Sequence, residues 1–448
     1  MPEGSVTALA PPPGRAELAR RILKLAAPTT VSAALQSACM LAETWLAARQ
    51  GTAALAGWAV VLPFSLLLGM MSAGAMGGGV SSAVARALGA RKPEEASQLV
   101  RHALIIALVF AVLFIIPLAI FPHAVLGLVG GPDAAAAAAA YSAWTFGAGA
   151  LPAWISNVLA SVLRGGGKHA LASRALIIAW LCYPPLAYVL MEPLGMGLAG
   201  LGLAFALAMT GGAVALSFTV LRGGAGFVPV LLGPVSPGLF WKILSVGLVA
   251  CMMATISNLT TILVTAQIKA QGAAAVAAYG VSARLEFLMI PLAFGVGAAL
   301  TALVGRAVGA GDWPLARRTA WVGTFMALGV TVPVALLVAI FPAATASFFS
   351  HDPAVQEIAT RALRIVGPAM PFFGGGMALY FASIGAARMG HPVMAGFSRI
   401  AIAVGGGWWL ANEAGWGLEG NLVGVALGIT AFGLINVVGV RPGVWRKR

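Results

Sequence analysis

The chain is short of charge. Only 9% of its 448 residues are Asp, Glu, Lys or Arg, with 13 acidic against 27 basic. A water-exposed globule of this size needs a charged surface to remain dispersed, so that class is excluded. Cysteine is equally scarce. Cys39, Cys182 and Cys251 lie far apart in apolar segments, which leaves no disulfide framework and no CxxC metal pair, and they read as packing residues. The five histidines are scattered among loops, so spacing assembles no Ser-His-acid set, and no enzyme is expected. His169 and His391 have no Cys or acidic neighbour to complete a metal site. No cofactor is implied.

Apolar residues fill the space that charge leaves: 60% of the chain is hydrophobic and the mean hydropathy is +0.95. Apolar runs of roughly 20 residues, enough to cross a hydrocarbon core of about 30 Å, recur from end to end. We read twelve segments, near 22–49, 55–88, 98–121, 134–163, 168–191, 195–221, 236–268, 275–305, 318–341, 354–385, 392–411 and 416–440. The runs are continuous and rich in Ala, Leu, Gly and Val, unlike the alternating strands of a barrel. An all-α integral membrane protein follows. The alanine run Ala134 to Ala140 reads as the opening of the fourth helix, with Asp133 as its N-cap.

The formal net charge of +14 and pI of 10.7 raise the question of nucleic acid. Position answers it. The cations cluster in alternate loops and both tails: Arg15, Arg20, Arg21 and Lys24; Arg86, Arg91, Lys92 and Arg101; Arg164, Lys168 and Arg174; Arg222 and Lys242; Arg306, Arg317 and Arg318; Arg388 and Arg399; Arg441, Arg446, Lys447 and Arg448. The other loops hold Asp133, Glu192, Asp352, Glu413 and Glu419. This is an orientation signal that places both termini in the cytoplasm, here of a bacterial inner membrane, and no nucleic-acid partner is expected. The N-terminal stretch reads as a short cytosolic tail, because the apolar segment after it is too long for a signal-peptide core.

An internal repeat sets the architecture. Gly195 to Thr210 aligns without gaps on Gly415 to Thr430, 220 positions later, with Gly195, Gly197, Leu198, Gly200, Ala206, Leu207 and Thr210 meeting identical residues. Three further matches fall at nearly the same offset: Arg86 to Ala90 on Arg306 to Ala310, Ala160-Ser161 with His169 on Ala382-Ser383 with His391, and Asp133 with Pro152 on Asp352 with Pro371. The chain is therefore two copies of a six-helix unit, entering the membrane from the same side. Parallel repeats of this kind belong to alternating-access transporters, with cargo between the halves. The expected organisation is a tail 1–21, a first lobe 22–222, a Gly- and Pro-rich connection 223–236, a second lobe 237–441 and a basic tail 442–448, in a monomer.

Several motifs carry a resemblance. Ala42-Glu43-Thr44-Trp45-Leu46-Ala47-Ala48-Arg49-Gln50-Gly51, followed by Ala53-Ala54-Leu55-Ala56, resembles the first-helix motif of the multidrug and toxic compound extrusion (MATE) transporters. Ala83 to Ala96 is similar to the end of their second helix and the loop after it, Val304 to Asp312 is its second copy, and Leu163-Arg164-Gly165-Gly166-Gly167-Lys168 is similar to their L-R-G-x-G loop. That glycine-rich stretch lacks the first glycine and the Ser/Thr of a phosphate-binding loop. The resemblance spans the chain and implies two pseudo-symmetric six-helix lobes. Departures matter too. Glu43 stands where the family usually has Asp, and the polar residues usual in the fifth helix are replaced near Leu181, Tyr183 and Pro184. In the sodium-coupled NorM-like branch, carboxylates occupy neighbourhoods that here read near Ser257 and Gly375. The resemblance thus leans toward the proton-coupled DinF-like branch, with a proton rather than sodium as coupling ion.

Glu43 is an ionisable group at membrane depth, a functional-site candidate on physical grounds alone, and we read it as the proton-coupling residue. Gln36 and Met40 share its face and are cavity candidates. Glu286 and Arg284 lie two positions apart, hence on different faces, and are read either as cargo contacts or as members of a structural ion-pair network. Asn258 and Thr261 are further cavity candidates, with interhelical hydrogen bonding as the competing explanation. The function expected is antiport of small hydrophobic, cationic or neutral compounds out of the cytoplasm by alternating access, driven by proton import. Its alternatives are a lipid-linked saccharide flippase, a dedicated metabolite exporter and sodium-coupled drug efflux.

Overall fold

The computed structural model describes residues 13–446, with the side chains of Phe287, Leu288, Pro291 and Leu292 outside the description; Lys447, Arg448 and most of the N-terminal tail 1–21 likewise fall outside it. Every regular element among the described residues is helical. In lipid that is the expected outcome, since a helix satisfies its own backbone.

The first half begins with α1 (Arg15–Arg49). The second span is α2 (Thr52–Gly69) and α3 (Gly77–Gly89), joined by the π-helical turn Met70–Met76, and the third is α4 (Pro93–Ile115). The fourth is built from α5 (Pro122–Ser142) and α6 (Ala150–Gly165); α7 (His169–Met191) and α8 (Gly197–Leu221) complete the lobe. The second half repeats the plan with α9 (Pro237–Ile268), α10 (Ala273–Gly309), α11 (Trp313–Ile340), a short α12 (Pro342–Phe349), α13 (Pro353–Val366) with α14 (Met370–Ala386), α15 (Gly390–Ile400) with α16 (Gly407–Asn412), and α17 (Gly417–Gly439). Eleven helices among the described residues are long and apolar enough to cross a membrane. The 37-residue α10 supplies the twelfth span. The repeat is visible in the backbone itself: Gly195 and Gly197 take φ of 66° and 53°, and their counterparts Gly415 and Gly417 take 74° and 55°.

Two details differ from the sequence reading. The fourth span does not open on an Asp133 cap: the break falls at Gly131, with φ 79°, and Pro132 starts the new helix. Proline suits the first helical position because its missing N–H is not needed there. In the second lobe the cap does operate, as Asp352 accepts from the Ala354 N–H at 2.9 Å. Cys39 and Cys251 are buried, but Cys182 is exposed.

The lobes meet along a seam on the half of the molecule that carries the basic loops. Its centre is a reciprocal crossing of α3 and α10: a Cβ on Gly89 would lie 2.2 Å from the Arg306 carbonyl oxygen, and one on Gly309 would lie 2.1 Å from that of Arg86. Only glycine permits that approach. Ser82 donates to the Ile384 and Gly385 carbonyls, Arg86 donates to the Lys242 carbonyl at 3.3 Å, and Arg306 donates to the Gly166 carbonyl at 2.8 Å. Thr30 of α1 presses on Gly295 of α10, and Met76 on Gly247 of α9.

The connection between the lobes is tied to α4. Ser97 donates to the Val228 carbonyl at 2.8 Å, Arg101 to the carbonyls of Leu232 (2.8 Å) and Pro234, and the Ser236 N–H donates to His102 Nε2 at 2.9 Å. His102 Nδ1 faces the Gln98 carbonyl at 2.8 Å, so the acceptor nitrogen is the one turned to the connection.

Two outcomes follow. Gly89→Leu, which drives a side chain into the Arg306 backbone, is expected to raise maleimide labelling of a cysteine placed at Ser81 several-fold in an otherwise cysteine-free chain; unchanged labelling would refute the close crossing. Arg101→Ala is expected to speed protease cleavage between 222 and 236 several-fold with little change in helix content, since it removes two of the ties.

Candidate functional site

Glu43 lies near the end of α1 far from the seam. From Thr30 it is 13 residues away, roughly 20 Å at 1.5 Å per residue. The carboxylate is half-buried and accepts from the Trp58 indole Nε1 of α2 at 3.4 Å. Tyr183 of α7 and Tyr141 of α5 are also near enough to interact with its charge. Behind them Trp180 and Tyr183 sit edge to face at 6.0 Å, and Phe205 of α8 closes on Tyr183 at 6.1 Å. Cys39, one turn before Glu43, donates to the Trp180 carbonyl and pins α1 to α7. None of the ion pairs among the described residues includes Glu43. Its partners are neutral and aromatic, a setting that leaves its charge open to a proton or a cation.

The second lobe handles its acid differently. Glu286 of α10 is buried and ion-paired with Arg399 of α15, which also donates to Ser257 of α9 at 3.2 Å and sits 5.4 Å from the centre of the Phe373 ring. Tyr279 stands one side of the pair. Arg399 corrects the sequence reading, which counted it with the basic loops. It is a buried residue of α15, because that helix begins at Gly390 and carries it well inside the lobe. Nothing local marks the pairing, since the partners are 113 residues apart. Arg284, two positions from Glu286, is exposed and belongs to none of the ion pairs among the described residues.

The remaining candidates are dispersed. Gln36 is exposed and its amide nitrogen lies 3.7 Å from a Cβ built on Gly69, so it borders α2; Met40 is partly buried one turn before Thr44. Asn258 donates to its own helix at the Ala254 carbonyl (2.9 Å) and reaches Met70 Sδ of the other lobe at 3.8 Å. Thr261 bonds back to the Ser257 carbonyl at 3.4 Å. Gln36, Met40 and Glu43 share one helix face in the first lobe, whereas Asn258, Thr261, Arg284 and Glu286 belong to the second. Gln267, Gln271 and Asn421 form a further network inside that lobe, with Asn421 donating to Gln267 at 3.2 Å. On the acidic-loop side, Arg361 pairs with Glu357 at 3.5 Å, and Arg49 holds Glu192 at 3.0 Å, fastening α1 to the turn after α7. No cluster of His, Cys, Asp and Glu able to hold a metal occurs among the described residues.

Comparison with known proteins places this geometry. Solved structures with the same fold include a MOP superfamily transporter from Pyrococcus furiosus, whose binding pocket is described as reversed in polarity. It is 22% identical, with 95% of this chain and 96% of that one aligned at a TM-score of 0.87. A Vibrio cholerae MATE transporter is 19% identical over 96% and 98% of the two chains at 0.88. A multidrug resistance MATE family transporter in an outward-facing conformation is 22% identical over 95% and 96% at 0.86. The MatE family model matches twice, at residues 28–189 and 247–409, once on each lobe. Members of that family are transporters rather than enzymes. With both lobes matched and the two-lobe helical architecture in place, the chain belongs to the MatE family of multi-pass membrane transporters.

Proposed function

We propose that the protein is a proton-driven antiporter that exports small hydrophobic, cationic or neutral compounds, with Glu43 as the coupling residue. One contrast carries the reading: Glu43 is held by Trp58 without a cation, whereas Glu286 is already neutralised by Arg399. A carboxyl answered only by neutral donors offers one site for which proton and cargo compete, and alternating access converts that competition into exchange. Gln36 and Met40 flank the site in the first lobe, and Asn258, Thr261 and Arg284 face cargo from the second. The aromatic residues around Glu43 suit flat hydrophobic cations.

The lobes 22–222 and 237–441 rock about the connection 223–236, with tails 1–21 and 442–448 in the cytoplasm of a bacterial inner membrane. The seam at Gly89 and Gly309 is then the closed cytoplasmic side of an outward-facing state. Ser257 and Gly375 supply no carboxylate where a NorM-like sodium site needs one, which favours the DinF-like branch and a proton.

The test is dye efflux from proteoliposomes under an imposed pH gradient and, separately, a sodium gradient. Wild type is expected to respond to the proton gradient alone, and Glu43→Gln is expected to fall below about a tenth of that rate while remaining monodisperse; a tenth corresponds to roughly 1.4 kcal/mol of lost coupling. Sodium-driven efflux, or efflux indifferent to Glu43→Gln, overturns the reading. Flux of a lipid-linked saccharide without dye transport favours the flippase alternative.

The buried pair makes a separate prediction about stability. Arg399→Gln, which strands Glu286, is expected to cost about 3–5 kcal/mol, and Glu286→Gln added to it is expected to restore much of that loss. Thermal unfolding of the purified single and double variants checks both.

A further inference from the structure

Two to three turns into the bundle from the Gly89 crossing, the seam holds a half-open cavity of about 10 Å³, room for a single water-sized occupant. Both lobes line it, with Gly74 and Ser81 from the second span, Ser161 and Arg164 from α6, and Phe294 and Thr301 from α10. Its polar inventory is unbalanced. Arg164 is 4% exposed, its Nε has no hydrogen-bond partner, and it belongs to none of the ion pairs among the described residues. The guanidinium lies 5.7 Å from the centre of the Phe294 ring, a contact that holds it over the cavity without cancelling its charge. The Ser81 hydroxyl is buried without a partner as well. The other two hydroxyls are committed, Ser161 to the Asn157 carbonyl at 2.7 Å and Thr301 to the Phe381 carbonyl at 3.0 Å. His169, buried nearby, adds a second unpartnered nitrogen, Nε2.

The repeat shows that the shared lobe plan does not demand this arginine. Aligning Ala160-Ser161 on Ala382-Ser383 sets Ala386 opposite Arg164, so the second lobe closes the same helix end without a charge. A buried guanidinium is costly unless an anion answers it. Arg164 and Ser81 both line a space too small for a hydrated divalent oxyanion.

We propose that this cavity binds one monovalent anion, held by Arg164 and Ser81 at the seam between the lobes. The shared chemistry is a single negative charge on a compact acceptor, supplied either by free chloride or by the carboxylate end of a cargo molecule. The site is distinct from Glu43 and does not depend on the coupling role assigned to that residue. Opening the seam separates Ser81 from Phe294 and Thr301, so occupancy is tied to the state in which the basic face is closed.

The experiment is ³⁵Cl NMR line broadening by the purified full-length protein in a gluconate buffer, with acetate binding followed by calorimetry in parallel. Wild type is expected to broaden the chloride line, and Arg164→Gln to weaken the effect roughly tenfold or more, the loss of one charge-assisted contact. Ser81→Ala provides the second variant, removing the other unpartnered donor at nearly unchanged volume. It is expected to weaken binding several-fold with Arg164 intact, and it alone decides if Arg164→Gln does not purify as a monodisperse protein. Glu43→Gln is expected to bind the anion as wild type does. Chloride binding sensitive to these variants assigns the site to a free ion, and acetate binding without chloride binding assigns it to a cargo carboxylate. Binding of neither anion, or binding unchanged by Ser81→Ala, overturns the proposal.

Discussion

The constraint on which this molecule depends is that a charge placed inside an apolar bundle must be answered. The chain answers it in two ways. Glu286 receives Arg399, Ser257 and the face of Phe373, and so becomes a fixed cross-brace between α9, α10, α14 and α15. Glu43 receives the Trp58 indole N–H, with Tyr141 and Tyr183 nearby and, among the described residues, no cation beside it. The same residue type is ion-paired in the second lobe and has no ion pair in the first, because a cation stands beside only Glu286 among the described residues. The two lobes share a fold and differ in chemistry.

The proposed exchange requires movement at the opposite end. The crossing of α3 and α10 has no side chain between the backbones; Ser82, Arg86 and Arg306 donate across the seam to carbonyls, and Lys242 of α9 pairs beside it with Glu95 of α4 at 2.6 Å. Hydrogen bonds to carbonyls are short-ranged and exchangeable with water, and the Glu95 carboxylate at the seam's edge is partly exposed. The ties of Ser97, Arg101 and His102 fasten the connecting segment to the first lobe.

The architecture was legible because its signals are local or periodic. Apolar runs, alternating basic loops and the Gly195/Gly415 register each sit in contiguous sequence, and each reappears as a helix, a face or a matched pair of positive-φ turns. Glu43 was conspicuous against a nearly uncharged background. The tertiary partners were not legible: Arg399 looks like any loop cation until α15 carries it 113 residues back to Glu286. Arg164 was misread in the same way, as orientation charge rather than a buried group. Asp133 failed as a cap because Gly131-Pro132, two residues earlier, breaks the chain first. A sequence reports where charge is scarce; only packing reports which charges are answered.

The central claim is that proton and cargo share Glu43. Proton release on cargo binding, measured on the purified protein in weakly buffered solution with a fluorescent cationic dye, tests it without a membrane potential or a coupling gradient. The account predicts release of about one proton per dye bound by wild type, and none by Glu43→Gln at dye concentrations that still saturate it. Dye binding without proton release in wild type, or undiminished release in Glu43→Gln, would contradict it.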